Sequence, residues 1–336
     1  MMAETVEQKG KAGFKEVAKR VVRHHDATLF FVLLAIVLGL GAATGGRSLL
    51  LRNVKQVIVA TAATGVSAIG QAYVILTAGI DLSVAGVAFG TSALGGALMT
   101  DMLVRNIIGH QVAIWQGIPA MLAMGAGLGL ASGLLVSRIG MPPLIATLGI
   151  WQIGHGIGFQ ITRGFTITRM LDSLRDIGQG SVLGFPVPGI IFIVIAVVSY
   201  LVWNYTTYGK SVVATGSNPG TAYLSGIKVK NIQLSVYVIS GILFAVAGLI
   251  YTTRVMSVSY QSFSGMELQS IAAAVIGGMS LFGGSGSILG VVFGSFIIGV
   301  ITNGMNILGA DPFLEGTVLG VLVLLAVGID FWRRGR

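Results

Sequence analysis

Residues 187–230 read VPGIIFIVIAVVSYLVWNYTTYGKSVVATGSNPGTAYLSGIKVK. The first half is an apolar run of about 20 residues, the length a helix needs to cross the hydrocarbon core of a bilayer. The second half, from Ala214, is small, polar and punctuated by glycine. Within it Asn218 is a good N-cap, Pro219 suits the first helical position, and Gly226 can end a helix in the left-handed conformation. About two turns lie between these signals, too few to be stable alone in water. The segment therefore predicts a short helix outside the membrane that needs a surface to dock on.

Apolar runs like the first half recur on both sides of this stretch. Bounded by charge, Gly or Pro, they centre on residues 28–46, 54–76, 82–102, 112–137, 143–162, 187–207, 232–253, 266–281, 286–308 and 314–331. The expected fold is all-α, a polytopic membrane protein of about ten transmembrane helices in a single domain. Composition agrees: 54% of the 336 residues are hydrophobic and 10% charged, too few charges for the coat of a soluble domain. Glycine, 50 residues, predicts close helix packing, since small side chains let membrane helices approach where lipid gives no hydrophobic drive to associate.

The net charge of +9 sits in the tails and between apolar runs, with no basic stripe interleaved with aromatics, which speaks against nucleic acid. It orients the chain instead. With an even number of spans both termini share a side, and both are basic: Lys9, Lys11, Lys15, Lys19, Arg20 and Arg23 at the start, Arg333, Arg334 and Arg336 at the end. The positive-inside bias makes that side cytoplasmic. It also holds Arg138, Lys210, Lys228 and Lys230, thirteen cations against eight on the outer side. Basic residues 1–27 precede an uncleaved first span rather than forming a signal peptide. The longest outer loop, 163–186, contains LDSLRDIG, whose apolar spacing predicts a short surface helix.

GIDLSVAGVAFG from Gly79 matches GMELQSIAAAVIGG from Gly265, and GLLVSRIGMPP from Gly133 matches GMNILGADP from Gly304. Pairing residues 54–162 with 232–331 gives an offset of five spans, an odd number, so the second repeat is inverted relative to the first. Inverted repeats point to transport, because two equivalent halves can exchange inward-open and outward-open states.

Catalytic chemistry is not legible. There is no Cys, which excludes disulfides, thiol nucleophiles and thiolate metal sites. NYTTYGKS carries the GKS of a phosphate-binding loop but has Asn204 where the leading Gly belongs. GGSGSILG from Gly283 lacks the Lys, and GHGIGF from Gly154 follows no strand. His24, His25, His110 and His155 form no paired metal motif; no metal site is expected. Asp81 and Glu267 stand where one apolar run ends and the next helix begins, so helix capping is the preferred reading, with proton or cation coupling as the rival. Polar residues inside the spans, Gln71, Thr77, Thr147, Gln152, Gln160, Asn303 and Asn306, suit a path for a neutral polyol, because amides and hydroxyls donate and accept without charge. They serve equally as helix-to-helix hydrogen bonds.

YGKSVVATGSNPGTAYLSGIKVK resembles the coupling segment of permeases in the ribose-type class of ATP-binding-cassette sugar importers, through Gly209, Lys210, Val213, Gly216, Asn218, Ala222, Ser225, Gly226 and Ile227. TAGIDLSVAG around Asp81, PPLIATLG from Pro142, the long MELQSIAAAVIGGMSLFGGSGSILG stretch and NGMNILG from Asn303 extend the resemblance over nearly the whole chain. Gly220 and Thr221 depart from it, as does Gln269, where an acid is frequent. The resemblance implies a type II importer-like permease, without enzymatic activity, in the bacterial cytoplasmic membrane. It implies a second permease subunit, identical or homologous, a cytoplasmic ATPase that carries the ATP and magnesium, and a periplasmic or lipid-anchored solute-binding protein. Residues 209–230 then form the coupling segment, with Gly216, Asn218, Pro219, Ala222, Tyr223, Ser225 and Gly226 meeting the ATPase. No cofactor is expected on this chain. An ion-coupled transporter using Asp81 or Glu267, a channel, and a permease for nucleosides or branched-chain amino acids are the alternatives.

Overall fold

The computed structural model describes residues 25–102 and 108–334. The basic tail up to residue 24, Arg105 and Arg336 lie outside the described residues. The chain is helical from one described end to the other: α1 (His25–Ala43), α2 (Leu51–Leu76), α3 (Val84–Met99), α4 (Ile114–Leu134), α5 (Pro143–Thr162), α6 (Ser173–Gln179), α7 (Val187–Tyr205), α8 (Thr207–Ser217), α9 (Pro219–Leu224), α10 (Val229–Val255), α11 (Met266–Ile276), α12 (Ile288–Ile307) and α13 (Pro312–Arg334). A two-residue hairpin pairs Ser181–Val182 with Phe185–Pro186.

Among the described residues six helices are long and apolar enough to cross a membrane: α1, α2, α4, α7, α10 and α12. Six such helices in one chain are the mark of a multi-pass membrane protein. Two of the expected spans are shorter helices. Over 82–102 the chain is non-helical up to Ser83, before a 16-residue α3, and over 266–281 α11 has 11 residues and gives way to turns. The surface helix read at LDSLRDIG is α6.

The two longest helices of the first and last thirds, α2 and α10, pack together at the centre. The mean packing follows a pattern: α2 also packs on α11 and α12, α10 also packs on α3 and α4, α3 packs on α4 and α5, and α11 packs on α12 and α13. Glycine sets the close approaches, as the composition predicts. A Cβ on Gly125 of α4 would overlap the Gly241 carbonyl of α10, and a Cβ on Gly241 would overlap the Gly125 carbonyl. Only hydrogen fits on either side of that crossing.

Side-chain contacts assign the chain's turns to two ends of the bundle. At one end Ser287 donates to Asp26 at the start of α1 (2.9 Å), Phe331 near the end of α13 packs on Phe282, and Gly284 N–H donates to the Leu76 carbonyl (2.9 Å). Ser217 meets Gly284 there as well, which brings α8 and α9 to the same end as both described termini. At the opposite end Thr100 pairs with Met170, Ile167 with Val258, and Gln179 with the Arg254 carbonyl.

Candidate functional site

Three features stand out from the packed helices: a polar groove, a buried carboxylate beside a broken helix, and a protruding short helix.

The groove opens at the end of the bundle that carries α6 and has a cavity volume of about 1000 Å³. It lies between α2, α10, α11, α12 and α13. Arg52 and Lys55 line it from the first turn of α2 and Arg254 from the last turn of α10. Deeper in, Thr64 of α2 donates to Gln269 of α11 (3.4 Å); nearer the opening, Thr302 donates to Glu315 in the first turn of α13 (3.2 Å). Asn303 and Asn306 of α12 belong to its wall. Asn303 is tied to Asn53 of α2, with which it exchanges two amide hydrogen bonds of 2.8 and 3.0 Å.

Asp81 lies in the non-helical break between α2 and α3, with 1% of its surface exposed. Non-helical backbone at this depth needs every polar group paired, and side chains from three helices do it. Gln71 of α2, with its amide oriented to satisfy both groups, donates to the Asp81 carbonyl (2.9 Å) and accepts from the Asp81 N–H (3.1 Å). Thr147 of α5 accepts from the Leu82 N–H (3.1 Å). The Asp81 carboxylate accepts from the Ser83 N–H (2.9 Å), the Ser83 hydroxyl (2.6 Å) and the Ser240 hydroxyl of α10 (2.9 Å). Asp81 thus precedes α3 and organises its entry. Glu267 sits in the first turn of α11 after the left-handed Gly265, with one carboxylate oxygen buried and unpaired among the described residues.

At the other end, Asn218 accepts from the Thr221 N–H (3.0 Å) to cap α9, Pro219 begins it, and Gly226 follows it at φ +83°. Ala222 is buried, whereas Pro219, Ser225, Tyr223 (72% exposed) and Leu224 (86% exposed) face outward. Gly216, at the end of α8, lies against the Leu76 carbonyl so closely that a Cβ would overlap it. The helix α8 itself escaped the reading of the sequence; Thr206, which accepts from the Gly209 N–H (3.1 Å), is the cap that signals it.

Of the residues expected along a path, the structure brings Asn303 and Asn306 to the groove. In this conformation Gln71, Thr77 and Thr147 are buried and bonded to backbone, and Gln152 and Gln160 are exposed on α5. His155 is enclosed by Trp151, Phe89 and Tyr260. Among the described residues no cluster of His, Cys, Asp and Glu could hold a metal. Ser240, Asn53, Thr64, Glu315 and Leu224 were not singled out from the sequence. Their roles come from partners far away in the chain, or, for Leu224, from which face of a short helix turns outward.

Residues 53–327 match the family model described as the permease component of branched-chain amino acid transport systems. The chain is 37% identical to the ribose import permease protein of Bacillus subtilis, over 83% of this chain and 84% of that protein. It is 34% identical to the fructose import permease protein of Rhizobium meliloti (92% and 86%) and 34% identical to the D-allose transport system permease protein of Escherichia coli (90% and 90%). No solved structure matches.

Proposed function

Since this chain belongs to the family of transport-system permease components matched over residues 53–327, we propose that it is the membrane-spanning subunit of an ATP-driven importer for a monosaccharide or related small polyol. It is a transport component rather than an enzyme. The relatives that match over most of the chain are named for ribose, fructose and allose, which favours sugar over a branched-chain amino acid. The single observation that carries the reading is the groove: about 1000 Å³ lined by amides, hydroxyls and a few charges inside an otherwise apolar bundle.

Solute released by a binding protein enters this groove from outside, and a pathway shared with a second permease subunit carries it inward. The architecture we propose is a ten-helix permease with an inverted repeat, residues 54–162 against 232–331. Helix packing supports it: exchanging α2 with α10, α3 with α11, α4 with α12 and α5 with α13 turns each pair named above into another pair named above. The end carrying α9 is cytoplasmic in this scheme, because Arg138, Lys210, Lys228 and Lys230 lie on or beside the turns there. Both termini then face the cytoplasm of a bacterial inner membrane.

Residues 209–230 form the coupling segment. Gly216, Asn218, Pro219, Ala222, Tyr223, Ser225 and Gly226 build a capped knob for a partner ATPase, which holds the ATP and magnesium. Hydrogen bonds from Ser83 and Ser240 to both carboxylate oxygens of Asp81 support a structural role for it at the entry to α3 over ion coupling.

Uptake of radiolabelled D-ribose, D-fructose and D-allose by cells supplying this permease, with its ATPase and binding protein, tests the proposal. Uptake of one of them that stops when the ATPase is inactivated is the expected result. Uptake that continues without the ATPase points to ion coupling and overturns it.

A further inference from the structure

We infer that Thr64 and Gln269 form a solute station at the floor of the groove, recognising an uncharged polyol through one hydroxyl and one amide at the middle of the membrane. The inference rests on the import reading above.

Depth is the first argument. Thr64 is halfway along the 26-residue α2, and a helix of that length spans the hydrocarbon core with its midpoint near the bilayer centre. Gln269 reaches the same level from the first turns of α11, the short helix of the second half. A solute that has left water at the groove's opening meets its last polar lining there.

Hydrogen-bond capacity is the second argument. Asn303 spends one N–H and one oxygen lone pair on Asn53, in two bonds of ordinary length that a solute would have to break to take the whole amide. Thr302 is committed to Glu315. Gln269 accepts one long bond, 3.4 Å, from Thr64, and its amide N–H groups donate to no described residue. A side-chain amide offers two donors and two acceptor lone pairs, and a hydroxyl one donor and two lone pairs. The pair can therefore pass from its own long bond to adjacent hydroxyls of a sugar without stranding a polar group.

Chemistry around the pair sets the class of solute. Phe263, Met266 and Ile298 are apolar lining of the same groove, nearly buried in its wall, and offer a solute no charge. The charged side chains that line the groove, Arg52, Lys55, Arg254 and Glu315, belong to the ends of α2, α10 and α13, away from the middle of α2 where Thr64 lies. An anionic or cationic solute would lose its water there without gaining a counter-charge.

The test compares Thr64→Val, Thr64→Ser and Gln269→Leu in vesicles holding the full importer, scored with radiolabelled D-ribose, D-fructose and D-allose. ATP hydrolysis stimulated by the loaded binding protein reports assembly independently. Thr64→Val and Gln269→Leu should each lower uptake roughly three- to tenfold, the worth of one hydrogen bond, with ATP hydrolysis retained. Thr64→Ser, which keeps the hydroxyl, should stay close to the wild type. Wild-type uptake by Thr64→Val and Gln269→Leu, or an equal loss in Thr64→Ser and Thr64→Val, overturns the station and leaves the import reading standing. Wild-type uptake that continues without ATP removes both.

Discussion

Ser240 donates its hydroxyl to Asp81 Oδ2 at 2.9 Å, joining residues 159 positions apart and tying α10 to the break between α2 and α3. The bond reaches a carboxylate with almost no access to water, so its loss leaves an oxygen unpaired. Ser240→Ala should lower stability by about 1–3 kcal/mol, read as an earlier thermal transition of the purified protein in detergent. Asp81→Asn should reduce the yield of folded protein while the surviving fraction still transports. A fully folded Asp81→Asn variant that cannot transport would instead assign the carboxylate to ion coupling.

Gly216 has no room for a side chain beside the Leu76 carbonyl. Gly216→Ala must push α8 away from the end of α2, at a cost of about 1–3 kcal/mol for overpacking. Uptake should fall more than the amount of protein in the membrane, measured by comparing transport with immunodetected permease. Equal falls in both would mean that the contact serves folding alone.

Tyr223 and Leu224 are the large exposed side chains of α9. Anchors of this kind contribute about 2 kcal/mol or more each at a protein interface. Replacing both by Ala should abolish co-purification of the ATPase and leave membrane insertion unchanged. Undiminished co-purification would place the ATPase contact elsewhere.

Asn53 and Asn303 form a reciprocal amide pair between α2 and α12. Each single Ala variant should lower the unfolding midpoint, and the double variant should be little worse than either. The coupling from such a cycle should be about 1 kcal/mol; additive losses would show that the pair is not held in the folded protein.

The sequence by itself determined the helical, multi-pass character of this chain, because apolar run length and scarce charge are local properties that a bilayer reads directly. It also determined the cap, start and stop of α9, since Asn218, Pro219 and Gly226 act on backbone within four residues of themselves. What only the tertiary structure decided is which polar residues face one another. Gln71 and Thr147 look like path residues when each is seen alone on an apolar helix, yet packing turns both toward the Asp81 break, where unpaired backbone needs them. Thr64 and Gln269, 205 positions apart, become neighbours only when α2 and α11 pack together. A helix presents its polar groups all round. Which of them meets a partner depends on rotation and depth against helices distant in the chain, and no local pattern encodes that.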